Sequence, residues 1–185
     1  MKKQTEKQKM LAGLAYDAWD EVLLAARNQA KLVCHQFNQL SPLDNDKRQA
    51  MLKTLLNITG HCHIEANFFC DYGTNITIGD NFYANHNLVI LDVCEVKIGS
   101  NVMFGPNVML STATHPIDPI ARRNTEFGKP ITIGNDVWLG GNVSVLPGIT
   151  IHDNTVIGAG SVVTKDIAGN GVYAGNPCRF IKPIT

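Results

Sequence analysis

Large aliphatic residues recur at every sixth position through the C-terminal half of the chain: Ile133, Leu139, Val145, Ile151, Ile157 and Val163. Neither a helical period of 3.6 nor plain alternation holds such a register over six repeats. A short strand closed by a tight turn does. Each repeat then lays one aliphatic inward, and Gly, Asn and Asp supply the turns and their positive-φ positions. Three such strands close a triangular coil, and stacked coils form a parallel β-helix around a column of aliphatic side chains.

The same register begins less cleanly at Ile64, Cys70 and Ile76. After a slip of two residues it runs through Ile78, Ala84 and Ile90, slips again, and resumes through Ile98, Phe104 and Leu110. Ile76-Thr-Ile-Gly, Val96-Lys-Ile-Gly and Ile131-Thr-Ile-Gly are one element repeated, first 20 and then 35 residues apart, because a segment from Thr112 to Pro130 interrupts the repeat. From Glu6 to Leu56 glycine is almost absent and the period changes. Leu11, Leu14, Ala15, Ala18, Trp19 and Val22 have helical spacing, as do Ala30, Val33, Cys34 and Phe37, and a third helix is predicted from Asp44 to Leu56. Such helices cap a solenoid whose terminal coil otherwise exposes its core. The expected organisation is a helical cap over residues 1–58, a β-helix over 59–167 with an insert at 112–130, and a tail over 168–185.

Composition narrows the partners. Sixteen basic residues balance sixteen acidic ones without a long run of either sign, which gives no reason to expect nucleic acid or an anionic membrane. The polar N-terminus leads into an amphipathic stretch, so neither a signal peptide nor a transmembrane helix is expected. Five scattered cysteines without a C-x-x-C read as reduced core residues of a cytoplasmic protein.

A solenoid coil needs no insert, and a long irregular loop in a compact domain is usually functional. The insert opens Thr112-Ala-Thr-His115-Pro-Ile-Asp-Pro119, where Pro116 restricts the backbone of His115 and Pro119 stiffens the next turn. A fixed imidazole can take a proton from a hydroxyl as that hydroxyl attacks; the competing reading is a surface histidine at a loop corner. Around it stand Cys-Asp-Tyr-Gly (70–73), Asn-Phe-Tyr-Ala-Asn (81–85), Leu-Asp-Val-Cys (91–94), Gly-Lys-Pro-Ile-Thr-Ile-Gly (128–134), Val-Trp-Leu-Gly-Gly (137–141), Gly-Ala-Gly-Ser-Val-Val-Thr-Lys-Asp (158–166) and Gly-Asn-Pro-Cys-Arg (175–179).

With these motifs nearly the whole chain resembles the maltose/galactoside O-acetyltransferase family, hexapeptide-repeat enzymes of left-handed parallel β-helix fold that use acetyl-CoA. The hexapeptides mark only the fold; the His-Pro loop with Asn85 and the C-terminal Gly-x-Pro-x-Arg mark the family. The resemblance implies that His115 deprotonates a sugar hydroxyl, which attacks the thioester directly in a ternary complex. It implies an acceptor pocket lined by Asp17, Asp71, Asn85 and Asp92, because a polyol needs matched polar groups. On the acetyl-CoA side it implies Gly141 and Ala159 along the pantetheine arm, an amide near Gly141 facing the oxyanion, Trp138 at the thioester, and Thr164, Lys165, Arg179 and Lys182 toward the phosphates and adenine. It implies no metal, and a homotrimer with acetyl-CoA held between subunits.

Three positions depart from the galactoside branch or from the family. Val93 follows Asp92 where the galactoside branch has a second acid, Asp71 follows the maltose pattern, and His86 stands where an aromatic or apolar residue is expected. Plainer readings compete: Asp71 as a solvated turn acid, Asp92 as a corner cap, Trp138 as packing, Lys165 and Lys182 as surface charges. Two other functions compete as well, a related acyltransferase acting on a non-sugar acceptor and a β-helix metalloenzyme or non-catalytic scaffold. His61 and His63 lack a third histidine at zinc spacing, and His35, His86 and His152 form no obvious triad, which disfavours the metalloenzyme.

Overall fold

The computed structural model describes residues 4–184. The six-residue register folds as a parallel β-helix with three faces. The first face stacks Asn57–Ile58, Ile76–Ile78, Val96–Ile98, Ile131–Ile133 and Thr150–Ile151. The second stacks Cys62–Ile64, Phe82–Ala84, Met103–Phe104, Val137–Leu139, Thr155–Ile157 and Gly171–Ala174, with Arg179–Pro183 folded back antiparallel on its edge. The third stacks Phe69–Cys70, Val89–Leu91, Met109–Ser111, Ser144–Val145 and Val162–Val163.

The register residues fill the interior: Ile64, Ile78, Ala84, Ile90, Ile98, Phe104, Leu110, Ile133, Leu139, Val145, Ile151, Ile157 and Val163 are all buried. Turns between faces use the left-handed region. Asn67, Asn87, Asn107 and Asn142 all have positive φ and stack at the corner between the second and third faces. There each Nδ2 donates to the next Oδ1 at 3.0, 2.8 and 3.1 Å. Asparagine tolerates that backbone and its amide ladder offsets part of the cost.

The slips of the register have one location. Cys70 to Ile78 and Ile90 to Ile98 each carry two extra residues, and the insert after Leu110 follows in the next coil. All three fall at the corner between the third and first faces, so three coils in succession bulge along one edge.

Helices α2 (Glu21–Gln39) and α3 (Asn45–Leu55) cover the first coil, while α1 (Glu6–Leu11) packs on α2 and on the insert's strand Phe127–Gly128. α2 buries Leu23, Ala30, Cys34 and Phe37, whose ring meets Phe68 of the coil edge-on at 6.4 Å. One expectation needs correction: the apolar stripe from Leu11 to Val22 is not one helix. α1 ends at Leu11, Gly13 takes φ +70°, and Leu11, Leu14, Trp19 and Val22 are exposed. The physical reason is a competing contact. At Gly13 a Cβ would lie 2.9 Å from the carbonyl oxygen of Gly128, and Tyr16 N–H donates to Glu126 O at 3.1 Å, so this segment is held by the insert rather than by a helical turn.

Candidate active site

The insert leaves the body as a two-stranded stalk, with Ala113–Thr114 antiparallel to Phe127–Gly128. His115 is the first residue beyond one strand, and Thr125 lies just before the other. The imidazole Nδ1 stands 3.1 Å from the Thr125 carbonyl oxygen. A carbonyl only accepts, so Nδ1 carries the hydrogen, and in the neutral imidazole the lone pair then lies on Nε2. The cap grips the same stalk, because Tyr16 Oη donates to Glu126 Oε1 at 2.6 Å. Burial and the Glu126 carboxylate push the Tyr16 phenol upward, so it stays a donor.

Two cavities of about 440 and 410 Å³ meet at His115 and share Ala18, Trp19 and Glu126. The first is polar, with Asp17, Arg122, Arg123, Asn124 and Thr125. The second adds Asp71 and Arg27 on one side and Leu91, Val93 and Ala113 on the other. Arg27 donates to Tyr72 Oη at 2.7 Å and to the Ala18 carbonyl. Burial, then the Glu126 carboxylate, raises the Asp71 carboxyl, while Arg27 and Lys31 oppose the shift. Short polar groups of both signs around an apolar wall can bind a polyhydroxylated ring and hold one hydroxyl against Nε2.

Asp92 does not line these cavities. It is 0 % exposed and sits behind the corner, where Oδ1 accepts from Asp71 N–H at 3.0 Å and Tyr72 N–H at 2.9 Å. The pocket-lining expectation is therefore corrected to a corner cap that aims Asp71; the cause is the extra pair of residues after Cys70, whose free amides need an acceptor. Oδ2 finds no hydrogen-bond partner among the described residues. Burial pushes the Asp92 carboxyl up to about 7, helped by Asp71 and opposed by the Tyr72 amide.

That shift fixes a pH dependence. A carboxyl raised in the folded state contributes fully below the ordinary carboxylate pKa, and its contribution is lost as pH rises through about 7. At about 1.4 kcal/mol per unit, the loss is on the order of 4 kcal/mol. Asp92→Asn keeps the Oδ1 acceptor and abolishes the ionisation, so its stability should fall less than the parent's between pH 4 and pH 8 in urea titrations. Parallel pH profiles for the two proteins would refute the assignment.

The remaining predicted residues lie elsewhere on the prism. Asn85, Gly141 and Ala159 follow strands of the second face and share the corner between the second and third faces. Beside the asparagine ladder that corner carries small residues in close-stacked coils: a Cβ at Gly140 would meet the Ala159 amide nitrogen at 2.6 Å and one at Gly141 the Pro106 ring at 3.3 Å, whereas one at Gly160 would meet nothing. Trp138 points outward from the second face beside Tyr83 and Met103. Arg179 and Lys182 are exposed on the returning strand, and Thr164 and Lys165 form a turn of the last coil. One chain thus brings Asp17, Asp71 and His115 together and keeps the other group apart. His86 is exposed near Asn85, and His63 pairs with Glu65 at 3.1 Å while stacking on Tyr83 at 5.6 Å.

Sequence reasoning missed Glu126, Arg27, Tyr72 and Trp19. The register slips were a usable signal for Tyr72, since they mark the bulged edge. Arg27 looks like any charge on a helix surface, and Trp19 was absorbed into a helical stripe that does not exist.

A model of the "maltose acetyltransferase hexapeptide capping motif" matches residues 9–60, and one of the "bacterial transferase hexapeptide (six repeats)" matches residues 130–165. The galactoside O-acetyltransferase of Escherichia coli (strain K12) is 45 % identical over 179 residues, 96 % of this chain and 88 % of that protein. The crystal structure of a maltose O-acetyltransferase from Clostridium difficile 630 superposes with a TM-score of 0.97 at 50 % identity, covering 98 % of both chains. A galactoside acetyltransferase in complex with coenzyme A gives 0.95 at 42 % identity, covering 99 % of this chain and 92 % of that one.

Proposed function

Because the chain belongs to the maltose/galactoside O-acetyltransferase family and is therefore an acetyltransferase, we propose that it moves the acetyl group of acetyl-CoA to a sugar hydroxyl. The observation that carries the reading is the His115–Thr125 contact, which leaves Nε2 as a free base where the two cavities meet. His115 takes the proton as the sugar oxygen attacks the thioester carbonyl. The C–S bond then breaks, and the departing thiolate takes the proton that His115 holds, which returns the imidazole to its neutral form. Asp17, Asp71 and Glu126 hold the other hydroxyls, Arg27 braces the corner through Tyr72 and Ala18, and Asp92 sets the angle of Asp71 from behind.

Support for the donor comes from the relative solved with coenzyme A and from the run of small residues at Gly141, Ala159 and Gly160, where a Cβ at Gly160 would meet nothing. A pantetheine arm is a slender chain of amides, and small residues let it come close to the backbone. Gly141 contributes the donor to the oxyanion and Trp138 walls the thioester. Thr164, Lys165, Arg179 and Lys182 meet the phosphates and adenine, and Asn85 reaches the acceptor. Asn85 sits on a different corner from His115, so the complete site draws on two chains of a homotrimer.

The test is release of free thiol from acetyl-CoA with glucose, maltose, galactosides and amino sugars, together with the mass of the product. No O-acetyl sugar from any of them would remove the sugar from the proposal. In the same assay Arg179→Ala should weaken acetyl-CoA by about tenfold or more and acetyl-pantetheine far less, since a guanidinium fork grips phosphate. Equal losses with both donors would make Arg179 a structural residue.

A further inference from the structure

We propose that Trp19 is the platform on which the acceptor ring lies, so that the favoured acceptor is a pyranose with an open C–H face rather than a polyol as such. The inference rests on the sugar reading above and adds a specificity-determining residue to it.

Trp19 is 77 % exposed although it stands in the wall shared by the two cavities that meet at His115. An indole kept open to water forfeits the gain that burial of a large apolar side chain brings. Slack backbone does not explain it. The Trp19 N–H donates to Asp17 Oδ1 at 2.9 Å, and the Ala18 carbonyl accepts from Arg27. On the other side Asp20 caps α2 by accepting from Val22 N–H and Leu23 N–H. The turn that carries the ring is tied down on both sides, which fixes where the Trp19 side chain leaves the backbone, and the residue lines both cavities.

The surroundings match a pyranose group by group. Leu91, Val93 and Ala113 give one cavity an apolar wall, and Asp71 and Glu126 place carboxylates at its rim. A sugar ring presents C–H groups on a face and hydroxyls around its edge. The negative face of an indole attracts those polarised hydrogens, and the carboxylates accept from the hydroxyls. Stacking fixes the plane of the ring and so decides which hydroxyl meets Nε2.

The experiment compares the full chain with Trp19→Ala and Trp19→Phe, using pyranosides and an acyclic polyol of equal hydroxyl count as acceptors. Trp19→Ala should raise the KM for every accepted pyranoside about tenfold or more, leave the acetyl-CoA KM within about twofold, and leave the polyol unaffected. Trp19→Phe should recover most of the loss. Unchanged pyranoside kinetics in Trp19→Ala, an equal loss on the polyol, or a loss that tracks a fall in assembly mass would each overturn the platform while the sugar reading stands. A parent protein that acetylates no sugar would instead sink the sugar reading, and the platform with it.

Discussion

His115→Ala is expected to lower turnover by about 10²–10⁴-fold while leaving acetyl-CoA affinity within about twofold. The size follows from removing a positioned general base: the hydroxyl must then lose its proton to water at the moment of attack. The imidazole is exposed and contacts the fold through one hydrogen bond to Thr125 O, so its loss should not disturb the core. Thermal unfolding of the variant should superpose on the parent's, which separates a catalytic loss from a folding one. Thiol-release kinetics read turnover, and calorimetric titration with CoA reads the donor side. Turnover within tenfold of the parent would take His115 out of the chemistry, and a matching loss of CoA affinity would place it on the donor side of the cleft.

How much of this was written in the sequence depends on whether one coil or several supply a feature. The column from Ile64 to Val163 was legible because each coil must put its own aliphatic at the same phase, and every such residue is buried. The bulged edge was legible too, as breaks in that phase after Ile76, Ile90 and Leu110. His115 could be singled out because its constraint is local, a proline on its C-terminal side. What failed was pairing across long separations. Nothing near Tyr16 shows that it will bridge to Glu126, 110 residues on, and that contact is what replaces the expected helix after Leu11. Asp92 was misread for the same reason. A short acid at a corner looks alike whether it faces a ligand or the amides of Asp71 and Tyr72 in the coil below, and only the stacking of coils decides.

Stacking also separates the two halves of the proposed site, and this gives the second large effect. His115, Asp17 and Asp71 occupy the corner between the third and first faces, whereas Asn85, Gly141 and Ala159 occupy the corner between the second and third. A rigid ladder of parallel strands cannot fold one corner onto the other, so in the proposed homotrimer the other half of each site comes from a second copy. The insert carries Ile117, 94 % exposed, and Ile120, also exposed, and the second face presents Tyr83, Met103 and Trp138 to solvent. Apolar groups in such positions are suited to a neighbour's surface. A closed three-fold ring repeats one such contact three times and leaves none open. Mixing unfolded His115→Ala chains with equal amounts of chains carrying Arg179→Ala and Lys182→Ala, then refolding them together, should therefore regain activity that neither recovers alone. Where each site draws its base from one chain and its phosphate grip from the next, random assortment leaves about one site in four intact, so about a quarter of the parent's activity is expected. A light-scattering mass of a single 20.2 kDa chain would end the assembly proposal. A three-chain mass with no regained activity would show that His115 and the phosphate-binding residues of each site come from the same subunit.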